Sequence, residues 1–154
     1  MASPTEDDHF RPGIEALQGS RADEAQIHFQ AAIDDTRLAT TKSWLGLTLA
    51  LLVLGDNRAA EVSVDEVLVR EPHSLRGLII KGNLLLGRDE QRQAVSHYNL
   101  IMGLAATLAD IPPQLEQDLV RIQGRLEQIS QTFQSQLLDR LKAGAYRRDI
   151  EHPL

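Results

Sequence analysis

Apolar positions in this chain recur every three or four residues, in blocks separated by glycine, proline or short polar runs. The clearest block runs from Trp44 to Pro72. Its first half carries Trp44, Leu47 and Leu51 on one helical face and stops at Gly55-Asp56-Asn57. Its second half restarts at Arg58, carries Ala60, Val64 and Val67, and stops at Glu71-Pro72. This pattern predicts two helices joined by a tight turn. Such a hairpin leaves an apolar face uncovered, so it needs neighbours of its own kind.

The same register recurs on both sides. Ala25 lies thirty-five residues before Ala60, and Ala94 lies thirty-four after it. Each is followed at plus four by a larger residue (Phe29, Val64, Tyr98) and at plus seven by Ala32, Val67 or Ile101. Small residues such as Ala25, Ala60, Gly82 and Ala94 let paired helices approach, and the larger ones fill the groove to the next pair.

This arrangement resembles the tetratricopeptide repeat family, whose thirty-four-residue unit places Trp, Leu, small, aromatic, Ala and Pro residues at set positions. The middle copy matches it best, through Trp44, Leu47, Gly55, Ala60 and Pro72. The third copy has Gly82, Ala94, Tyr98 and Ile101, with Ala106 in place of the Pro and its turn glycine, Gly87, two residues early. The first has Ala25, Phe29 and Ala32, with Arg37 in place of the Pro. The resemblance covers roughly residues 6 to 108 and implies an all-α, right-handed superhelical stack of three hairpins.

Taken in order, residues 1–11 are polar and are expected to form a flexible N-terminus. Residues 12–110 hold the repeats, at about 12–37, 38–72 and 74–106. Pro12 is placed to open a short helix that Gly19-Ser20 ends, and Ser74 to cap the first helix of the third repeat. Ile111-Pro112-Pro113 breaks the pattern. A long helix follows over 112–144, with Leu115, Leu119, Ile122, Leu126, Ile129, Phe133, Leu137 and Leu141 at spacings of three and four and nothing to halt it before Gly144. It would be ~45 Å long. A solenoid needs a terminal helix over its last apolar face, so this helix is expected to cap the stack. Its face of Leu119, Ile122, Leu126, Ile129, Phe133 and Leu137 also has the spacing of a dimer seam. Residues 145–154 read as a tail or linker.

Charge and chemistry narrow the function. Residues 1–35 hold eight acidic and two basic side chains, whereas 36–112 and 113–154 are each balanced, giving a net charge of −6. Nucleic-acid binding is therefore not expected, because phosphate contacts need a basic surface. There is no cysteine, which removes disulfides and thiolate metal sites. The polar N-terminus has no secretory character, and the apolar run Trp44 to Leu54 is too short to span a bilayer; a cytoplasmic protein without a membrane partner is expected. No phosphate-binding loop occurs, since Gly77, Gly82 and Gly87 fall inside a helical pattern without a Gly-Lys-Ser/Thr sequence. Among His9, His28, His73, His97 and His152, no two stand at i, i+3 or i+4. The pairs Asp34-Asp35 and Asp65-Glu66 are adjacent residues that point different ways on a helix, and they read as surface charge. Neither a cofactor nor enzymatic activity is expected of this chain.

The family resemblance implies where a partner would lie. The first helix of each repeat lines a groove for a peptide through its second, fifth, ninth and twelfth residues. Here these are Lys42, Leu45, Leu49 and Leu52, then Arg76, Ile79, Asn83 and Leu86. The family's peptide-carboxylate clamp uses Lys and Asn at positions five and nine, and Leu45 and Leu49 do not carry it. The expected occupant of this apolar groove, which has Lys42, Arg76 and Asn83 at its edge, is a hydrophobic segment of a protein or peptide partner, or part of this chain such as the tail after Gly144. The order of repeats, Ile-Pro-Pro break and long helix is also similar to the N-terminal module of bacterial aspartyl/asparaginyl β-hydroxylase-type proteins, through Leu86-Gly87-Arg88, Ala94, Pro112-Pro113, Leu126 and Phe133. That likeness implies a non-catalytic scaffold accompanying an Fe(II) and 2-oxoglutarate domain; no His-x-Asp or His-x-Glu occurs in this chain. The alternatives are a free-standing adaptor and a dimerisation element built on the long helix.

Overall fold

The computed structural model describes residues 5–35 and 39–151, without the side chains of 145–151. The described residues form seven helices: α1 (Glu6–Gln18), α2 (Ala22–Asp35), α3 (Thr41–Val53), α4 (Asn57–Arg70), α5 (Leu75–Gly87), α6 (Gln91–Ala105) and α7 (Pro113–Glu151). Contacts divide the chain into two compact units, Met1–Ala106 and Thr107–Leu154.

In the first unit α1 pairs with α2, α3 with α4 and α5 with α6, while α2 packs on α3 and α4 on α5. The small residues named above lie where helices cross. Ala25, Ala60 and Ala94 are completely buried, as are Phe29, Val64 and Tyr98 one turn on. What faces these larger residues is size-matched to them. A Cβ on Gly13 would stand 2.7 Å from the Phe29 ring, and one on Gly82 would stand 2.7 Å from the Tyr98 ring. Gly13, Thr48 and Gly82 share one register position, so the hairpins with a ring use glycine there, while the middle one, with the smaller Val64 in place of a ring, has Thr48. Phe29 is enclosed further by Gly46, whose Cβ would come within 2.5 Å of the ring.

All three hairpin turns are built alike. Ser20, Gly55 and Asp89 have φ of 59°, 79° and 65°. At each turn two backbone bonds close the helix end, as in Gly55 N–H to Leu52 O at 3.1 Å and Asp56 N–H to Leu51 O at 3.0 Å. This is the Schellman arrangement, for which glycine is the least strained residue. Only the middle turn has one. Gly87, two residues early in the third copy, is the last residue of α5 and stands two before the left-handed Asp89, and Gly19, with φ −85°, stands one before Ser20.

Two helix boundaries differ from the sequence-based expectation. The segment expected to be flexible over residues 1–11 is helical from Glu6, and Pro12 lies inside α1. A proline at the seventh helical residue removes an N–H and crowds the preceding turn. Here the helix start is held by a capping box between Thr5 and Asp8 and by tertiary bonds described below. Residues 1–4 lie outside the described residues, as do Arg37 and Leu38, where the first repeat was expected to end and the second to begin. The second difference is at the C-terminus. Gly144 does not stop α7, which continues to Glu151, so residues 145–151 are helix rather than tail. Gly144 has no close neighbours, and no proline follows it before Pro153. An interior glycine costs about 1 kcal/mol, which is too little to end a helix this long.

In the second unit, α7 is 39 residues long, with Pro113 at its first position. Glu116 N–H donates to Pro112 O at 3.0 Å, closing the first turn. Its last described apolar residues, Phe133, Leu137, Leu138 and Leu141, are all exposed.

Candidate protein-binding face

The predicted groove residues stand at matching positions on the first helices of the hairpins. On α3, Lys42 is exposed and Leu45, Leu49 and Leu52 are half-buried. On α5, Arg76 and Asn83 are exposed, Leu86 is half-buried and Ile79 is buried. The residues thirty-five positions before the α3 set are Asp7, Phe10, Ile14 and Leu17 of α1. Phe10, Ile14 and Leu17 are half-buried and pack against the same core as Leu52 and Trp44. This third row was missed: the expected start at Pro12 left Phe10 outside the helix, although Ile14 and Leu17 fell inside it. The repeat spacing itself, extended back from Leu45 and Leu49, would have found Phe10 and Ile14.

Contacts join the rows of α1 and α3. The Lys42 ammonium pairs with the Asp7 carboxylate and lies 4.8 Å from the centre of the Phe10 ring. Beside them, Glu6 reaches the start of α3. Its Oε1 accepts from Ser43 Oγ at 2.6 Å, Thr40 Oγ1 at 2.7 Å and Thr40 N–H at 3.0 Å. A carboxylate at a helix N-terminus meets the positive end of the helix dipole and unpaired N–H groups. Partial burial opposes its charge, but the bonds from Ser43 and Thr40, with Lys42 nearby, hold Glu6 below the usual carboxylate range. Asp7 is lowered as well, chiefly by its bond to Lys42. The acidic start of the chain is thus partly spent on fastening α1 to α3.

A second ionic group ties α4 to α5. Lys81 Nζ lies 2.7 Å from Glu61 and 2.8 Å from Asp65, and Arg88 pairs with both Glu61 and Glu90. Glu61 is pulled down mainly by its bond from Lys81. Burial disfavours the charge on Lys81, yet Asp65 and Glu61 together raise it. Of the acidic pair Asp65-Glu66, one member therefore joins hairpins, and the other pairs within α4 with Arg70 at 2.7 Å. Arg70 also lies 5.1 Å from the Trp44 ring centre. Trp44 and Tyr98 are packing residues. The Trp44 carbonyl accepts from Thr48 Oγ1 and Ser63 Oγ, and the Tyr98 hydroxyl donates to Asn83 Oδ1 at 2.8 Å.

Along the long helix the predicted face is unevenly covered. Leu119 and Ile122 are buried, Leu126 and Ile129 are half-buried, and Phe133 and Leu137 are exposed. Among the described residues no group of three or more His, Cys, Asp or Glu could hold a metal ion, and no helix is long and apolar enough to cross a membrane.

No family model matches this sequence, and no curated protein matches it. Solved structures do. The chain is similar to the Yersinia enterocolitica type III secretion translocator chaperone SycD, with a TM-score of 0.74 and 21% identity over 87% of this chain and 89% of that one. It is similar to PcrH, solved in complex with the chaperone-binding region of PopB, at TM-score 0.67 and 21% identity over 80% and 96% of the two chains. It is similar also to the first TPR of Spaghetti (RPAP3), solved with the HSP90 peptide SRMEEVD, at TM-score 0.65 and 13% identity over 82% and 99%. At these identities the likeness shows the fold alone. That fold is the all-α tetratricopeptide-type helical repeat.

Proposed function

We propose that this chain is a non-catalytic scaffold that holds a segment of a partner protein on the rows Phe10–Ile14–Leu17, Leu45–Leu49–Leu52 and Ile79–Asn83–Leu86. The observation that carries the reading is the composition of this face. Phe10, Ile14 and Leu17 on α1, Leu45, Leu49 and Leu52 on α3 and Leu86 on α5 are half-buried, so partly exposed apolar residues recur from one first helix to the next rather than standing singly. Positions five and nine hold Phe10 and Ile14, Leu45 and Leu49, Ile79 and Asn83, so no row carries the Lys–Asn pair that would receive a carboxylate. The occupant is therefore an apolar segment, extended or helical, rather than an acidic C-terminal peptide. PcrH, which is similar in fold and was solved with the chaperone-binding region of PopB, supports a protein segment as the occupant.

The test is a peptide array of apolar and acidic nine-residue segments probed with the chain and with Leu45→Asp/Leu49→Asp. Both leucines are half-buried, so the double variant should keep its helicity. Binding confined to apolar segments and lost in the variant is expected. Preference for acidic C-terminal segments, or binding unchanged in the variant, would reject the reading. Ile79 is a poorer probe, since at 8% exposure a charge there would cost folding rather than binding.

The hydroxylase likeness rests on the order of elements in the sequence and concerns what would accompany the scaffold rather than how the scaffold binds. A cellular protein of about twice the 17.1 kDa of this chain would support a multidomain context. A species of 17.1 kDa would support the free-standing adaptor.

A further inference from the structure

The distal part of α7 has surface that neither the fold nor the binding face uses. Phe133, Leu137, Leu138 and Leu141 are 65%, 44%, 55% and 57% exposed. Phe133, Leu137 and Leu141 follow one another at four-residue steps, with Leu138 beside them, so the four form one stripe. Together they leave on the order of 400 Å² of apolar side chain in water, within the range of the largest patch on a typical soluble protein, which is often functional.

The surroundings of the stripe point to its occupant. Between Gln128 and Leu138 the helix has no charged residue; its polar positions are Gln128, Ser130, Gln131, Thr132, Gln134, Ser135 and Gln136. Glu127 stands on the N-terminal side of this uncharged stretch, and Arg140 and Lys142 stand on its C-terminal side, after Asp139. A parallel copy in register would set Lys142 beside Lys142 and Glu127 beside Glu127. An antiparallel copy, with Phe133 against Leu137 and Ile129 against Leu141, sets Glu127 beside Lys142 at both ends. Like charges across a helix pair are unfavourable and opposite ones favourable. Two copies meeting this way can remove up to about 800 Å² from the four residues, and with Ile129 and the stems of Gln134 and Arg140 the contact reaches on the order of the 1,000 Å² expected of a specific interface.

We infer that the distal half of α7 is a homodimer site, pairing antiparallel with α7 of a second copy through Phe133, Leu137, Leu138 and Leu141. Light scattering of the full chain across a concentration series tests the state. A mass of two chains is expected, with Leu137→Asp weakening association by about 100-fold or more, because a charge would be buried at the centre of the seam. Circular dichroism of the variant should be unchanged, since Leu137 is exposed on α7. The absence of native cysteine lets orientation be read as well. In an equimolar mixture of Ser130→Cys and Arg140→Cys chains, the antiparallel register predicts mixed disulfides in excess of either homodimer. A monomer at all concentrations, a dimer indifferent to Leu137→Asp, or homodimer disulfides dominating the mixture would each overturn the inference. The first of these results would leave the stripe to a partner of another sequence.

Discussion

Replacing Gly46 with alanine tests the packing of the first two hairpins at their tightest point. The added Cβ would lie 2.5, 2.6 and 2.7 Å from three atoms of the Phe29 ring, all well inside van der Waals contact. The ring cannot retreat, because it is completely buried and Gly13 closes its other side, where a Cβ would also come within 2.7 Å. Overpacking of this kind costs roughly 1–3 kcal/mol, and with the ring held on both sides the upper end applies. Alanine regains about 1 kcal/mol of helix propensity, leaving a net loss of about 2 kcal/mol. For a chain of this size that lowers the melting midpoint by about 4–8 °C. A thermal melt followed by circular dichroism reads it. Gly103→Ala is the control, since Gly103 sits inside α6 with nothing within 4 Å; it should gain about 0.5–1 kcal/mol. Adding Phe29→Leu to Gly46→Ala should leave the double variant no less stable than Phe29→Leu alone, because the smaller side chain vacates the contested space. A Gly46→Ala midpoint equal to or above wild type would refute the reasoning.

Ser20→Gly and Asp89→Gly should each raise stability by about 0.5–1 kcal/mol by relieving left-handed backbone at the Schellman turns, whereas Gly55→Ala should lower it by about 1 kcal/mol; urea midpoints decide. Glu6→Gln should cost about 1 kcal/mol by weakening the cap on α3, and amide exchange at Ser43 and Trp44 should quicken more than at α6. Glu6 and Glu61 are both held below the usual carboxylate range, so the stability they contribute is fully present above about pH 4.5 and is lost as pH falls through their lowered folded-state values. Melting midpoints should therefore drop on acidification below about pH 4.5, with a shallower drop in Glu6→Gln; an equal drop in the variant would show that Glu6 is not among the responsible groups.

The repeat core was legible because it is a matter of residue size at fixed intervals. Ala60, Val64 and Val67 announce a helix crossing, and Ala25 and Ala94 place it again on either side. What sequence spacing did not give was the start of α1, since Thr5 to Arg11 read as a polar leader. The helix there is secured by Glu6 reaching Thr40 and Ser43, a contact between residues more than thirty positions apart that no local pattern records. Of the missing row of the binding face, Phe10 was lost to that one boundary, while Ile14 and Leu17 lay within the expected helix. The turns had a similar cause: Gly19 and Gly87 drew attention as glycines, while the left-handed position was taken by Ser20 and Asp89. At the far end, Gly144 suggested a stop that the propensity cost of one glycine cannot impose on a 39-residue helix.

The central claim is that the apolar rows of α1, α3 and α5 hold a partner segment, and a photocrosslinker placed in the chain tests it most directly. Benzoylphenylalanine would be introduced at Leu49 on the proposed face and, separately, at Val62 of α4, which is 64% exposed. Each chain would be mixed with the tightest apolar peptide from the array. Crosslinks from position 49, competed by unlabelled peptide and absent from position 62, are predicted. Crosslinks of equal strength from both positions, or from position 62 alone, would contradict the account.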